Sequence, residues 1–317
     1  MTTYKEIFGK YVKNYSSDPS SDAEGQVWYN STTGVFKTNL NLGAVWASGG
    51  NLATARRGLG GAGTQTAGLG FGGYTGTVDT AATEEYDGSA WTGGGNLGTA
   101  RRHPAGLGIQ TSALCAGGYN GTTVTNTEEY DGSAWTTGGS LSTSRFLLAG
   151  AGTQTAGLAF GGNPTSATEE YDGSAWTAGG ALATARQGLG GAGLQTAGLA
   201  FGGADSTPTN TAVTEEYDGS AWTGGGNMGT ARRYLAGAGT QTSALGFGGQ
   251  TTVNVANTEE YNGTSWTAST AMVLARQSLG GCGTQTSALG FGGQSPIVAT
   301  TEEYTDPSFL TKTITTS

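Results

Sequence analysis

Twelve glutamates stand as adjacent pairs in six Thr-Glu-Glu-Tyr tetrapeptides, from Glu84 and Glu85 in the first to Glu302 and Glu303 in the last. Carboxylate pairs are what glycoside hydrolysis and hard-cation binding require. Neighbours along a strand, however, point to opposite faces, so the two acids of one pair cannot converge on one ligand. A pattern repeated six times also does not encode a single reaction. The expectation is structural: one glutamate of each pair meets a repeated arginine between neighbouring sheets as a buried ion pair. The single histidine, His103, occupies a slot held elsewhere by Gly58, Leu147, Gly188, Tyr234 and Ser278, which marks a variable surface or loop position. Cys115 and Cys282 fill slots taken elsewhere mostly by glycine or alanine, and no histidine recurs beside either, so they read as small core residues rather than nucleophiles. Gly-Gly pairs and Gly-x-Gly runs abound, but none opens a predicted helix, so they make no phosphate cradle. No catalytic, cofactor or metal residue is assigned.

The elements carrying these residues repeat every 44 residues or so. Trp46, Trp91, Trp135, Trp176, Trp222 and Trp266 each precede an arginine by ten residues: Arg56, Arg101, Arg145, Arg186, Arg232 and Arg276. Sixteen residues past each arginine begins a Gly-Gly pair. The tetrapeptide tyrosine then stands five residues before the next tryptophan in the first five copies. Only the segment between Gly-Gly and Glu-Glu changes length, from six residues (163–168) to eleven (204–214). Each unit divides into four short extended pieces, in the first copy RGLGGAG, TAGLGFGG, TEEY and SAWT, and so predicts one antiparallel four-stranded sheet. Asp-Gly between tyrosine and tryptophan suits a tight hairpin. The small residues of the first piece fit an innermost strand where radially arranged sheets converge, with Tyr and Trp filling the wider outer part. One such sheet cannot bury both faces alone, so stacked copies are required.

Composition agrees with a packed all-β chain. Sixty glycines and six prolines make about a fifth of the 317 residues, and 35% hydrophobic residues suffice for a core. A net charge of −9 disfavours nucleic acid and anionic lipid as partners. The N-terminal residues lack the apolar run of a secretory signal, and no stretch has the length of an apolar transmembrane helix.

The order apolar run, Gly-Gly, Tyr, Trp, with arginine opening the next unit, resembles the kelch repeat of β-propellers over about residues 46–304. The resemblance implies a kelch-like β-propeller of six four-stranded blades, with Trp46 completing the last one. A seventh blade is the alternative, because Phe309 stands where the other copies have tryptophan and QVWYN-STTG-VFKT reads as a hairpin over residues 26–38. Copper oxidase chemistry known on kelch-type propellers needs two histidine ligands, whereas this chain has His103 alone. The expected organisation is an N-terminal anchor over 1–40, a propeller over 41–309 and a tail over 310–317.

In a four-stranded meander the variable segment and the crossover to the next sheet lie at one end. The expected recognition positions are therefore Tyr74, Thr75, Val78, His103, Tyr119, Asn120, Phe146, Asn163, Asp205, Tyr234, Gln250, Val253 and Gln294, since a rigid scaffold with variable loops suits binding. Residues 18–38, DPSSDAEGQVWYNSTTGVFKT, resemble a hairpin segment at the start of phage and prophage virion proteins that carry such repeats, and TKTITTS resembles their tails. This implies a non-enzymatic tailed-phage structural protein, a fibre, appendage or decoration subunit. It would assemble in the host cytoplasm with other virion proteins through its N-terminal segment, in oligomeric form, and display its loops to a host-surface glycan or protein. The alternative is a free carbohydrate-binding, lectin-like propeller.

Overall fold

The computed structural model describes residues 13–17, 27–40, 43–163, 165–307 and 310–313. Local chemistry sets the outer hairpin of each repeat. Asp87 Oδ1 accepts the Ser89 amide and hydroxyl and the Ala90 amide, each at 2.8 Å, and Gly88 takes φ of 92°, so the chain reverses and Tyr86 pairs across from Trp91. Asp131, Asp172, Asp218 and Asn262 do the same in later repeats.

The chain is all-β in its described residues, with no helix. Six sheets repeat one plan of four antiparallel strands. The first comprises Gly60–Gly63, Gly68–Phe71, Thr83–Tyr86 and Trp91–Gly93. The sixth comprises Gly280–Gly283, Ser287–Phe291 and Thr301–Thr305, and takes its fourth strand, Val45–Ser48, from the start of the repeat region, with Trp46 opposite Tyr304. The first strand of each sheet neighbours that of the next, and Gly280–Gly283 neighbours Gly60–Gly63. This arrangement is consistent with a β-propeller. The first strands approach so closely that a Cβ on Gly106 would stand 2.6 Å from the Gly61 carbonyl oxygen, which is why these strands are glycine-rich. Between sheets the core is aromatic and aliphatic: Trp91 meets Phe291 at 4.9 Å and Tyr86 at 5.0 Å, around the buried side chains of Leu59 and Leu289.

The compact units divide at Val45–Thr305 and at Met1–Ala44 with Asp306–Ser317. The second unit holds a seventh four-stranded sheet. In it Lys13–Tyr15 runs parallel to Val27–Asn30, which forms a hairpin with Val35–Leu40, and Leu310–Thr313 pairs antiparallel with Val35–Leu40. Trp28 is fully buried there. Leu310–Thr313, in the segment read from the sequence as a tail, is a strand whose backbone completes the edge left by the hairpin. The larger compact unit runs Val45–Thr305, inside the 41–309 span expected for the repeats. Phe309 lies outside the described residues.

Candidate recognition face

The repeated polar residues are committed to holding sheets together. Six fully buried arginines each pair with the first glutamate of a tetrapeptide, for example Arg56 with Glu84 at 3.0 Å and Arg145 with Glu169 at 2.8 Å. The same pairing joins Arg101 to Glu128, Arg186 to Glu215, Arg232 to Glu259 and Arg276 to Glu302. The expected location is corrected: each ion pair lies within its own repeat, not between sheets. The arginine sits on the crossover entering the sheet and donates also to that sheet's carbonyls, Arg56 to Gly72 at 2.9 Å and Ala82 at 2.6 Å. The carboxylate's other oxygen accepts an amide of the same crossover, Ala53 onto Glu84 at 2.6 Å.

The second glutamate makes the link between sheets. Tyr130 donates its hydroxyl to Glu85 of the preceding sheet at 2.5 Å, and Tyr86 donates to Glu303 of the sixth at 2.5 Å. Trp91 Nε1 donates to Thr301 at 2.8 Å, and Trp46, Trp135, Trp176, Trp222 and Trp266 each find a tetrapeptide threonine of the preceding sheet. Burial first, then the glutamate bond, pushes the Tyr86 and Tyr130 hydroxyls up to about 12. A third link was not legible as such in the sequence. A glutamine in the turn between the first and second strands of each sheet donates to the tetrapeptide tyrosine carbonyl of the preceding sheet, as Gln110 does to Tyr86 at 2.7 Å. Burial pushes the Cys115 thiol up to about 11 and Cys282 to about 12, which suits apolar core positions and withholds the thiolate.

The chemistry left over collects at the end bearing the variable loops. The residue after each repeat arginine bridges the first loop residue in five repeats: Arg57 with Tyr74, Arg102 with Tyr119, Gln187 with Ala204, Arg233 with Gln250 and Gln277 with Gln294. These bridges align a row of side chains. Arg57 and Arg102 both lie over the Tyr74 ring, at 5.4 and 4.8 Å, Arg102 lies over Tyr119 at 4.7 Å, and Tyr119 meets Phe146 at 5.5 Å. Asp79 accepts from Arg102 at 3.1 Å, and Gln294 accepts from Arg57. Across the face Arg233 lies 5.1 Å over Tyr234 and donates to Gln250 Oε1 through two nitrogens at 3.2 Å. Thr75 and Asp205 instead cap their own turns, while Val78, Asn120, Asn163 and Val253 stand exposed in theirs.

His103 belongs to a feature that sequence reasoning did not find. Gly58, His103, Leu147, Gly188, Tyr234 and Ser278 all take left-handed φ, between 52° and 62°. Their amides donate in one direction around a cycle: His103 to Gly58, Leu147 to His103, Gly188 to Leu147, Tyr234 to Gly188, Ser278 to Tyr234 and Gly58 to Ser278, at 2.6–3.1 Å. Four of the six are not glycine, and each then carries a conformational cost of about 1–2 kcal/mol that the cycle holds in place. The two glycines make room for aromatic rings. A Cβ on Gly58 would stand 2.6 Å from the His103 ring, and one on Gly188 2.7 Å from the Tyr234 ring. His103 and Tyr234 rings are 6.4 Å apart and inclined by 32°, over a cavity of about 130 Å³ lined by the six cycle residues and the first strands. Burial, with the Arg102 and Arg57 charges behind it, pushes His103 down to about 3 and keeps the imidazole neutral.

Among the described residues no three His, Cys, Asp or Glu side chains come together as a metal site would need. No protein-family model matches the chain, and no curated protein matches it.

Proposed function

We propose that Val45–Thr305 is a six-bladed, kelch-like β-propeller, and that the protein acts by binding rather than catalysis, as a structural component of a tailed-phage particle. The observation carrying the binding reading is a division of labour. The repeated Arg, Glu, Tyr, Trp and Gln side chains are bonded within or between sheets. Loop-length variation and half-exposed Tyr74, Tyr119, Phe146 and Tyr234 share one end with the arginines that follow the buried ones. The cyclic contacts of the first strands support six blades. The likeness of residues 18–38 and of TKTITTS to virion proteins supports the particle, with other virion proteins as partners of the N-terminal segment and a host-surface glycan or protein as partner of the loops.

A free, lectin-like role would use the same face. The tetrapeptide tyrosines are fully buried, so a sugar would stack on Tyr74, Tyr119, Phe146 or Tyr234 instead. Labelling particles from the source with antibody against this chain separates the two. Label on head or tail is expected; particles free of label, with the protein recovered only from the soluble fraction, would overturn the virion reading.

A further inference from the structure

The repeat unit contains nine arginines and no lysine, in a chain of net charge −9. Six of the nine are buried against glutamates. The other three, Arg57, Arg102 and Arg233, occupy one repeat position and immediately precede Gly58, His103 and Tyr234 of the axial cycle. The unburied cations of this unit therefore surround a single mouth. Of these three, only Arg102 has a carboxylate partner among the described residues, Asp79, while Arg57 and Arg233 face the neutral amides of Gln294 and Gln250. The Arg57 Nε is buried and has no hydrogen-bond partner among the described residues. The acids that form the hairpin turns, Asp87, Asp131, Asp172 and Asp218, lie at the opposite end of the sheets, because a meander alternates its turns between ends. Asp79 and Asp205 lie in loops at the mouth end too, so three arginines stand there against two aspartates, whereas the four turn aspartates of the far end face none of these three arginines.

We propose that the axial mouth binds a polysaccharide of carboxylate-bearing sugars, Arg57 and Arg233 pairing with carboxylates while Tyr74, Tyr119, Phe146 and Tyr234 stack on sugar faces. A planar guanidinium matches a carboxylate through two parallel hydrogen bonds, and flanking rings hold it pre-oriented. Flat aromatic faces suit the apolar side of a pyranose. Burial first, and then the Arg102 and Arg57 charges, lowers the His103 imidazole, in keeping with cations beside the mouth. The inference rests on the reading of this face as the recognition surface and names its ligand class.

The test is retention of the full chain on immobilised polygalacturonate, hyaluronate and polysialic acid, with dextran and dextran sulfate for comparison. Because the protein is strongly acidic overall, unspecific adsorption to a polyanion is disfavoured, so retention must come from a local site. Expected is binding to at least one carboxylated polymer, weakened as salt rises, and about tenfold or more lost in Arg57→Gln with Arg233→Gln. A charge-matched variant, Thr66→Glu with Thr111→Glu in exposed turns of the far end, is expected to change affinity less than twofold, and unfolding midpoints of both variants identify any that fail to fold. Absence of binding to all three carboxylated polymers, or retention on dextran sulfate alone, overturns the inference. So does equal weakening in the two variants. If dextran is bound, and loop exchange at 74–82 abolishes that binding while the arginine variant does not, the recognition face stands and the acidic ligand falls.

Discussion

Removing Arg145 measures what the buried ion pairs contribute. Its guanidinium donates to Glu169 Oε1 at 2.8 Å and to the carbonyls of Ala167, Gly161 and Ala159 at 2.7, 3.2 and 3.4 Å. Glu169 Oε2 accepts the Ser142 amide at 2.8 Å, so the pair staples the crossover to the sheet it enters. The side chains are 1% and 3% exposed, so solvent screens little of the interaction. Arg145→Ala strands a buried carboxylate and three carbonyls, and breaking a buried pair from one side costs about 3–5 kcal/mol. Urea unfolding followed by tryptophan fluorescence reads this as a lower midpoint at unchanged slope. Deleting Ser206 and Thr207, exposed in the longest loop, removes no such pair and is expected to cost under about 1 kcal/mol. Arg145→Met with Glu169→Leu is expected to recover part of the loss, because it removes the stranded carboxylate but leaves the three carbonyls and the Ser142 amide without these side-chain partners. A single variant losing under about 1 kcal/mol, a loop deletion costing as much, or a double variant no better than the single would refute the reasoning.

Three further outcomes are expected. Gly106→Ala forces its methyl against the Gly61 backbone and is expected to lose about 1–3 kcal/mol or fail to fold. Gly93→Ala, with nothing within 4 Å of the new methyl, is expected to be neutral or to gain about 0.4–1 kcal/mol, and thermal melts compare the two. Ultraviolet titration should show Tyr86, Tyr130, Tyr171, Tyr217 and Tyr261 still protonated at pH 11. Their folded values near 12 exceed the unfolded value near 10, so the stability they contribute is complete below pH 10 and drains away between pH 10 and 12. One cooperative tyrosine transition near pH 10 in folded protein would contradict this. The ring protons of His103, the only histidine, should hold one chemical shift from pH 8 to pH 5 by NMR. With a folded value near 3 against an unfolded one near 6.5, the unfolded chain binds the extra proton, so His103 subtracts stability as pH falls through that window and His103→Asn should flatten that limb. A midpoint near 6.5 would refute it.

The strands, the outer hairpins and the end carrying the variable loops were legible because residue types recur at fixed offsets, and fixed offsets are what paired strands impose. Which glutamate meets which partner was not. Glu84 and Glu85 look alike in sequence, and only the pleat decides that one faces its own crossover and the other the next sheet. The arginine-to-glutamate separation also varies, from 24 residues in the third repeat to 29 in the fourth, because the variable loop lies between them, and so it hid a pairing that is constant in space. The repeated glutamine drew no expectation, since a long amide reaching across to a neighbouring sheet leaves no local signature. The cycle of left-handed residues was concealed by the diversity of its members: glycine, histidine, leucine, tyrosine and serine share a backbone angle there, not a side chain. Within the candidate site, Tyr74, Tyr119, Phe146 and Tyr234 were found through variation among repeats. Arg57, Arg102 and Arg233 were passed over beside the invariant arginines, although doublets in three repeats of six were the available sign.

Val45–Ser48 finds its hydrogen-bonding partner, Thr301–Thr305, about 250 residues further along the chain. At roughly 5–20 residues per second a ribosome takes about 10–50 s to cover that distance. For that interval the earliest strand of the repeat region hangs as an unmated edge, while the sheets behind it emerge and stack one after another. An unmated edge is a template for pairing with a neighbouring chain. Crowding many nascent copies on one message would therefore favour exchange of this strand between molecules, and its short length and exposed Val45 set how much such an exchange could gain.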